Sequence, residues 1–81
     1  MVDIRERLTD CFAAVFPDLP RQDIPKVDHY NLARWDSVAS VTLFATIEEE
    51  FGLELDLEDL PALVSFEKIL SYLSTKVAAS S

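Results

Sequence analysis

The chain has 81 residues, with 15 acidic side chains against 7 basic ones and a formal net charge of −8 at pH 7. That balance argues against a nucleic-acid partner, which rewards clustered Lys and Arg, and the absence of an apolar run of about 18 residues argues against a membrane span. A hydrophobic fraction of 49% is too high for a disordered chain, and one cysteine, Cys11, can form neither an internal disulfide nor a cysteine metal cluster.

This length suits one domain, residues 1–81, near the lower limit for a core that stands without staples. The start, Met1-Val2-Asp3-Ile4-Arg5-Glu6, lacks the basic and apolar regions of a signal peptide, so a reducing, cytoplasmic setting is expected. In chain order, the first predicted helix covers residues 3–16. Ile4, Leu8, Cys11, Phe12 and Val15 follow helical core spacing, Arg5, Glu6, Arg7 and Asp10 face water, and Pro17 ends the helix. Cys11 lies within the apolar stripe and reads as a small core residue.

Residues 17–35 contain Pro17, Pro20 and Pro25 and show no periodicity, so they read as a long loop. Leu19, Ile24, Val27, Tyr30 and Leu32 are expected to pin this loop to the core, with Trp35 as a packing anchor before the next helix. His29, the sole histidine, has no Cys or His partners in the pattern and reads as a surface residue.

The second predicted helix, residues 37–51, has two apolar faces. At about 100° per residue, Ser40, Leu43, Phe44, Ile47 and Phe51 form a core stripe. Val38, Val41, Thr42 and Ala45 fall on nearly the opposite side, with Glu48 and Glu49 just beyond them. A small domain has one core, so this second stripe is covered by another helix or left for a partner. Asp36-Ser37 stands at the head of the helix, where both residue types cap well and where N–H groups and the helix dipole favour an anion such as a phosphate.

Gly52 ends that helix as a C-terminal cap. The alternation Leu53-Glu54-Leu55-Asp56-Leu57-Glu58-Asp59-Leu60 could be a strand, but no second strand is available to pair with it. A short third helix over 57–61, capped by Asp56 and stopped near Pro61, is expected instead; the acidic cluster lacks the calcium-loop pattern. Ser65 caps a last helix, 65–77, with Phe66, Ile69, Leu70 and Leu73 inward, Tyr72 bordering them, Lys76 in the final turn and a frayed tail from Ala78 to Ser81.

Asp36-Ser37-Val38 followed by Glu48-Glu49-Glu50-Phe51-Gly52-Leu53-Glu54-Leu55 resembles the acyl carrier proteins and their peptidyl-carrier relatives, in which an Asp-Ser-Leu site opens the second helix and a Glu-Glu-Glu-Phe-Gly run ends it. The resemblance covers residues 3–77. It implies an all-α four-helix bundle of acyl-carrier type, three long helices and one short, with a long loop between the first two. It further implies that Ser37, flanked by Asp36, bears 4′-phosphopantetheine from coenzyme A, whose thiol holds acyl groups as thioesters. Val38 stands where leucine is usual, and Ala39 and Thr42 where fatty-acid carriers often have acidic residues, which points to a specialised biosynthetic pathway, fatty-acid or polyketide in kind.

No catalytic apparatus is legible. Ser37 has no histidine or lysine close in sequence and lacks a Gly-x-Ser-x-Gly elbow, so the chain does not read as an enzyme. The partners implied by the resemblance are a phosphopantetheinyl transferase, an acyl-loading ligase or acyltransferase, and downstream synthase or transferase enzymes. Val38, Val41, Thr42 and Ala45 would meet their apolar depressions, and Glu48 and Glu49 their Lys and Arg. From Trp35 to Glu67 there are nine acidic residues and no Lys or Arg, a one-sign field suited to steering basic partners. A monomer is expected. Leu43, Phe44 and Ile47 would line any acyl cavity between helices. Two alternatives remain at this point: a small acidic adaptor that binds a partner without modification, and an aminoacyl or peptidyl carrier.

Overall fold

The computed structural model describes the backbone of residues 3–80 and the side chains as far as Val77. Three long helices, α1 (Ile4–Val15), α2 (Ser37–Phe51) and α3 (Phe66–Ser80), are joined by two connections, each of which carries a short 3-10 helix. The fold is the helical bundle of acyl-carrier type that the resemblance implied, and among the described residues there is no strand beyond one isolated bridge.

α1 begins where Asp3 accepts the Arg5 N–H and ends at Phe16, whose N–H closes on the Phe12 carbonyl before Pro17. Leu8, Cys11 and Phe12 are buried, as their spacing predicts, and Phe16 extends the same stripe into the core. Phe12 is the hub of an aromatic cluster. Trp35 and Phe66 meet it nearly edge-on at 5.4 and 5.3 Å between centroids, and Phe16 lies 6.3 Å away. Each such pair adds about 0.5–1.5 kcal/mol beyond the area it buries.

The predicted featureless loop is partly ordered. Arg21–Lys26 forms a 3-10 helix with Ile24 fully buried. Beyond it, the His29 N–H bonds to the Val64 carbonyl and the Phe66 N–H to the Val27 carbonyl, at 2.7 and 3.0 Å. Those two bonds tie the loop to the entrance of α3, satisfying backbone groups that a buried loop would otherwise strand. Ile24 and Val27 pin the loop as expected, with Leu19 and Leu32 half-buried against the core. Tyr30 does not: it is 84% exposed. The Asp28 carboxylate accepts the N–H groups of Tyr30 and Asn31, and this Asx turn directs residue 30 outward. A radius of gyration of 11.8 Å, close to the roughly 12 Å expected for a folded chain of this length, shows that the loop is folded in rather than extended.

The expected short helix over 57–61 is instead a turn at 57–59 followed by a 3-10 helix, Leu60–Ala62. Pro61 lies within this one tight turn and lacks the N–H that a longer helix would need. Side chains from α3 hold the segment. The Tyr72 hydroxyl donates to Asp59 at 3.0 Å, the Asp56 N–H donates to Tyr72 Oη, and Lys76 Nζ reaches Asp56 Oδ2 at 2.9 Å. Lys76 is therefore a clasp on the preceding loop and not a final-turn charge, because α3 runs through Ser80. Ser81 of the expected frayed tail lies outside the described residues, and Ala78 to Ser80 are helical. No helix among the described residues is long and apolar enough to cross a membrane.

Candidate functional site

α2 starts with a division of labour between two adjacent residues. Asp36 is the N-cap: its Oδ1 accepts the Ala39 N–H at 2.9 Å and its carbonyl accepts the Ser40 N–H at 2.9 Å. Ser37, the first helical residue, is exposed, and its hydroxyl makes no hydrogen bond among the described residues. The contrast with Ser65 is informative. That serine also heads a helix, but its Oγ accepts the Lys68 N–H at 3.1 Å. Both read as cap residues in sequence; only Ser37 has its oxygen unspent.

The position of Ser37 is set by its neighbour. Trp35 is 1% exposed, stacked edge-on against Phe12, and its Nε1–H donates to Ser40 Oγ at 2.8 Å. The indole thus fixes the strand of chain entering α2 and the first turn leaving it, so Ser37 is held at the surface by a residue in the core. At this helix start the first N–H groups lack intrahelical acceptors, and the macrodipole favours negative charge there.

The second stripe of α2 is uncovered. Val38 and Val41 are 75% and 70% exposed, and Thr42, Ala45 and Glu49 are exposed beside them. The Thr42 hydroxyl is turned back onto the Val38 carbonyl, which leaves its methyl as the outward group. Glu48 differs from the expectation of a free charge: it is half-buried, and its Oε2 accepts the Leu55 N–H at 2.9 Å. That bond closes the Gly52 turn, where φ is +64°, and commits one carboxylate oxygen to the chain itself. Five of the seven cations (Arg5, Arg7, Arg21, Arg34 and Lys76) pair with Glu67, Glu50, Asp10, Asp18 and Asp56. None of them reaches Glu49, Glu54 or Glu58, so the acidic field around the exposed stripe stays open.

A groove of about 350 Å³ opens beside Ser37. Ser40 and Phe44 of α2, His29, and Leu57, Leu60 and Leu63 of the following connection border it. Leu43 and Ile47, expected to line any cavity, are fully buried in a filled interior; of the three named residues only Phe44 faces the groove. The pattern of α2 did not distinguish Phe44 from its neighbours on the same stripe. Leu57, 83% exposed, stands in the same sequence context as buried Leu55, and no local signal separates them. Cys11 is buried, and desolvation, with smaller contributions from the Glu50 and Asp10 charges, pushes its thiol up to about 11. It stays a protonated core residue, as its place in the stripe suggests.

The family described as "Phosphopantetheine attachment site" matches residues 6–73. The acyl carrier protein of Thermosynechococcus vestitus (strain NIES-2133 / IAM M-273 / BP-1) is 33% identical over 60 residues, covering 74% of this chain and 74% of that protein. No solved structure matches the chain.

Proposed function

This chain belongs to the phosphopantetheine-attachment family, and on that premise we propose that Ser37 is its attachment residue and an acyl group its cargo. Members of the family are carriers rather than catalysts, and their cofactor is covalently held 4′-phosphopantetheine. The observation that carries the assignment is the unspent, exposed Ser37 hydroxyl beside a cap supplied entirely by Asp36. The residues fit the group. Ser37 offers the nucleophilic oxygen at a helix start suited to a phosphodiester's charge, and modification would break no hydrogen bond of the fold. When bound, the group supplies a thiol on a flexible arm that stores acyl groups as thioesters.

Attachment would proceed on a separate phosphopantetheinyl transferase with coenzyme A and Mg²⁺. The Ser37 oxygen forms the new bond to phosphorus, its proton leaves, and the adenosine half of coenzyme A departs with the broken pyrophosphate bond. Asp36 holds the first turn in place throughout. An acyl-loading ligase or acyltransferase and downstream synthase or transferase enzymes would then use the same surface. Val38, Val41, Thr42 and Ala45 supply its apolar part and Glu49 its free charge, with Glu48 at the edge, bound to Leu55. Such an interface is small, and charge would speed encounter more than it prolongs residence.

An acyl cargo is favoured over an aminoacyl one by the name of the relative. Ala39 and Thr42, in place of acidic residues, favour a specialised pathway. Residues 1–81 are taken as one carrier domain, and a reducing cytoplasmic setting suits its lone buried thiol.

The test is intact mass after incubation with coenzyme A, Mg²⁺ and a promiscuous transferase. Wild type and Ser65→Ala should each gain one phosphopantetheinyl unit, and Ser37→Ala none. Loading of Ser37→Ala would move the site; no loading of wild type by several transferases would favour an unmodified adaptor.

A further inference from the structure

The first turn of a helix is its least held part, because its leading N–H groups have no acceptor within the helix. Ser37 is the first residue of α2, so its hydroxyl belongs to that turn. Asp36 contributes one bond there, to the Ala39 N–H, in an exposed setting. A second side-chain bond spans the same turn from the core side. Trp35 Nε1–H donates to Ser40 Oγ at 2.8 Å in a part-buried setting, where water competes less for either partner. Its donor lies two residues before Ser37 and its acceptor three residues after it.

The donor is held from outside α2. The indole is 1% exposed, its centroid lies 5.4 Å from that of Phe12 and 6.3 Å from that of Phe16, and the Trp35 backbone N–H donates to the Leu32 carbonyl at 3.0 Å. The acceptor differs from the other helical hydroxyls of the chain. Thr9, Thr42, Thr46, Ser74 and Thr75 each donate to the carbonyl four residues back, whereas Ser40 accepts from the indole. The Ser40 oxygen thus ties the first turn of α2 to the aromatic cluster that α1 supplies. This bridge also lies away from the exposed stripe, since Ser40 shares the core side of α2 with Leu43 while Val38 and Val41 face solvent. Breaking it would leave the surface offered to a transferase chemically unchanged and loosen only the turn that carries the nucleophile.

We propose that Trp35 and Ser40 are positioning residues for the loading of Ser37, their bond holding the first turn so that the serine oxygen meets phosphorus in a reactive geometry. The proposal rests on Ser37 as the attachment residue. Coenzyme A supplies the group: the Ser37 Oγ–P bond forms, the serine proton leaves, and the pyrophosphate P–O bond breaks with its electron pair going to the adenosine half. Neither Trp35 nor Ser40 touches the reacting atoms. Positioning raises the rate of the bond-forming step, whereas docking contacts set how much transferase is needed to reach it.

The experiment measures single-turnover loading of the apo chain by excess transferase saturated with coenzyme A and Mg²⁺, over a range of transferase concentrations. Ser40→Ala and Trp35→Phe should each lower the maximal rate about two- to tenfold, the span one net hydrogen bond supports, at an unchanged half-saturating concentration. The double variant should be no slower than the slower single one, because either change already removes the bond. Ser65→Ala, which loses the α3 cap instead, should load at the wild-type rate. Amide exchange gives a readout independent of the transferase: residues 39 and 40 should exchange about two- to tenfold faster in Ser40→Ala, with residues 43–47 unchanged. Where Trp35→Phe folds poorly, Ser40→Ala against Ser65→Ala decides alone. An unchanged rate or unchanged exchange in Ser40→Ala, an equal loss in Ser65→Ala, a loss confined to the half-saturating concentration, or multiplicative losses in the double variant would each overturn the proposal. Wild type that does not load overturns the Ser37 assignment and this proposal with it; normal loading of Ser40→Ala overturns this one alone.

Discussion

Truncating Phe44 and truncating Leu43 separates the helical pattern of α2 from its actual packing. In sequence the two residues share one stripe and should behave alike. In the structure Leu43 is fully buried, whereas Phe44 is half-buried at the edge of an open groove. Leu43→Ala leaves a closed void, for which losses of about 2–5 kcal/mol are usual. Phe44→Ala widens a space that water already reaches, so the cavity contribution falls away. The transfer contribution alone, about 1.5–3 kcal/mol for a fully buried side chain, is further reduced by the exposure Phe44 already has. We expect roughly 3–4 kcal/mol for Leu43→Ala and about 1.5–2 kcal/mol for Phe44→Ala, against a total stability of about 5–15 kcal/mol. At about 4–8 °C per kcal/mol for a domain of this size, the melting temperature should fall by roughly 12–32 °C and 6–16 °C respectively. Urea and thermal unfolding followed by circular dichroism measure both. Equal losses, or a larger loss for Phe44→Ala, would refute the assignment of Phe44 to the groove wall.

On the exposed stripe, Val41→Asp should leave the melting temperature within about 2–4 °C of wild type, as surface changes of 0.5 kcal/mol or less do, while raising KM for a phosphopantetheinyl transferase severalfold; a large thermal loss would mean that the face is covered. Hydrogen bonding and charge from Lys76 hold the Asp56 carboxyl below its ordinary 3.8, and Asp56 in turn raises Lys76 above 10.5. The stability this clasp contributes is therefore present between those two values, lost as pH falls below 3.8 through the depressed Asp56 value and lost again as pH rises above 10.5. Urea midpoints of wild type and Lys76→Met should accordingly differ at pH 7 and converge below pH 3.8. For Cys11, whose thiol is pushed up to about 11, the contribution to stability is complete below the ordinary 9.0 and is lost as pH rises from there towards 11; iodoacetamide at pH 8 should label it slowly in native protein and rapidly in urea.

What the chain's pattern determined unaided was its periodic part. The 3.6-residue spacing of Leu8, Cys11 and Phe12, of Leu43 and Ile47, and of Phe66, Ile69 and Leu73 identifies the buried faces, because a helix places those positions on one side whatever it packs against. Caps were equally legible at Asp36, Gly52 and Ser65, since capping is a bond between residues three or four apart. The Asp36-Ser37 pair, with the acidic Phe-Gly ending at its distance, was enough to point to the family.

Everything that depended on which distant groups meet was decided by tertiary structure. Local preference allows either Ser37 or Ser65 to spend its hydroxyl on a cap; only the fold shows that Asp36 relieves Ser37 of that role. Leu55 and Leu57 have the same acidic neighbours, yet one is buried and the other exposed, because Glu48 anchors the Leu55 N–H and the chain turns just beyond it. Tyr30 left the core because an aspartate two residues earlier turned the backbone, and Lys76 faces Asp56 because α3 passes the preceding loop. The bond from Trp35 to Ser40, beside the groove, spans only five residues, but it forms because Phe12 holds the indole in place from another helix. Periodicity reports the face a helix buries; the contents of a site follow from long-range contacts, which no local spacing encodes.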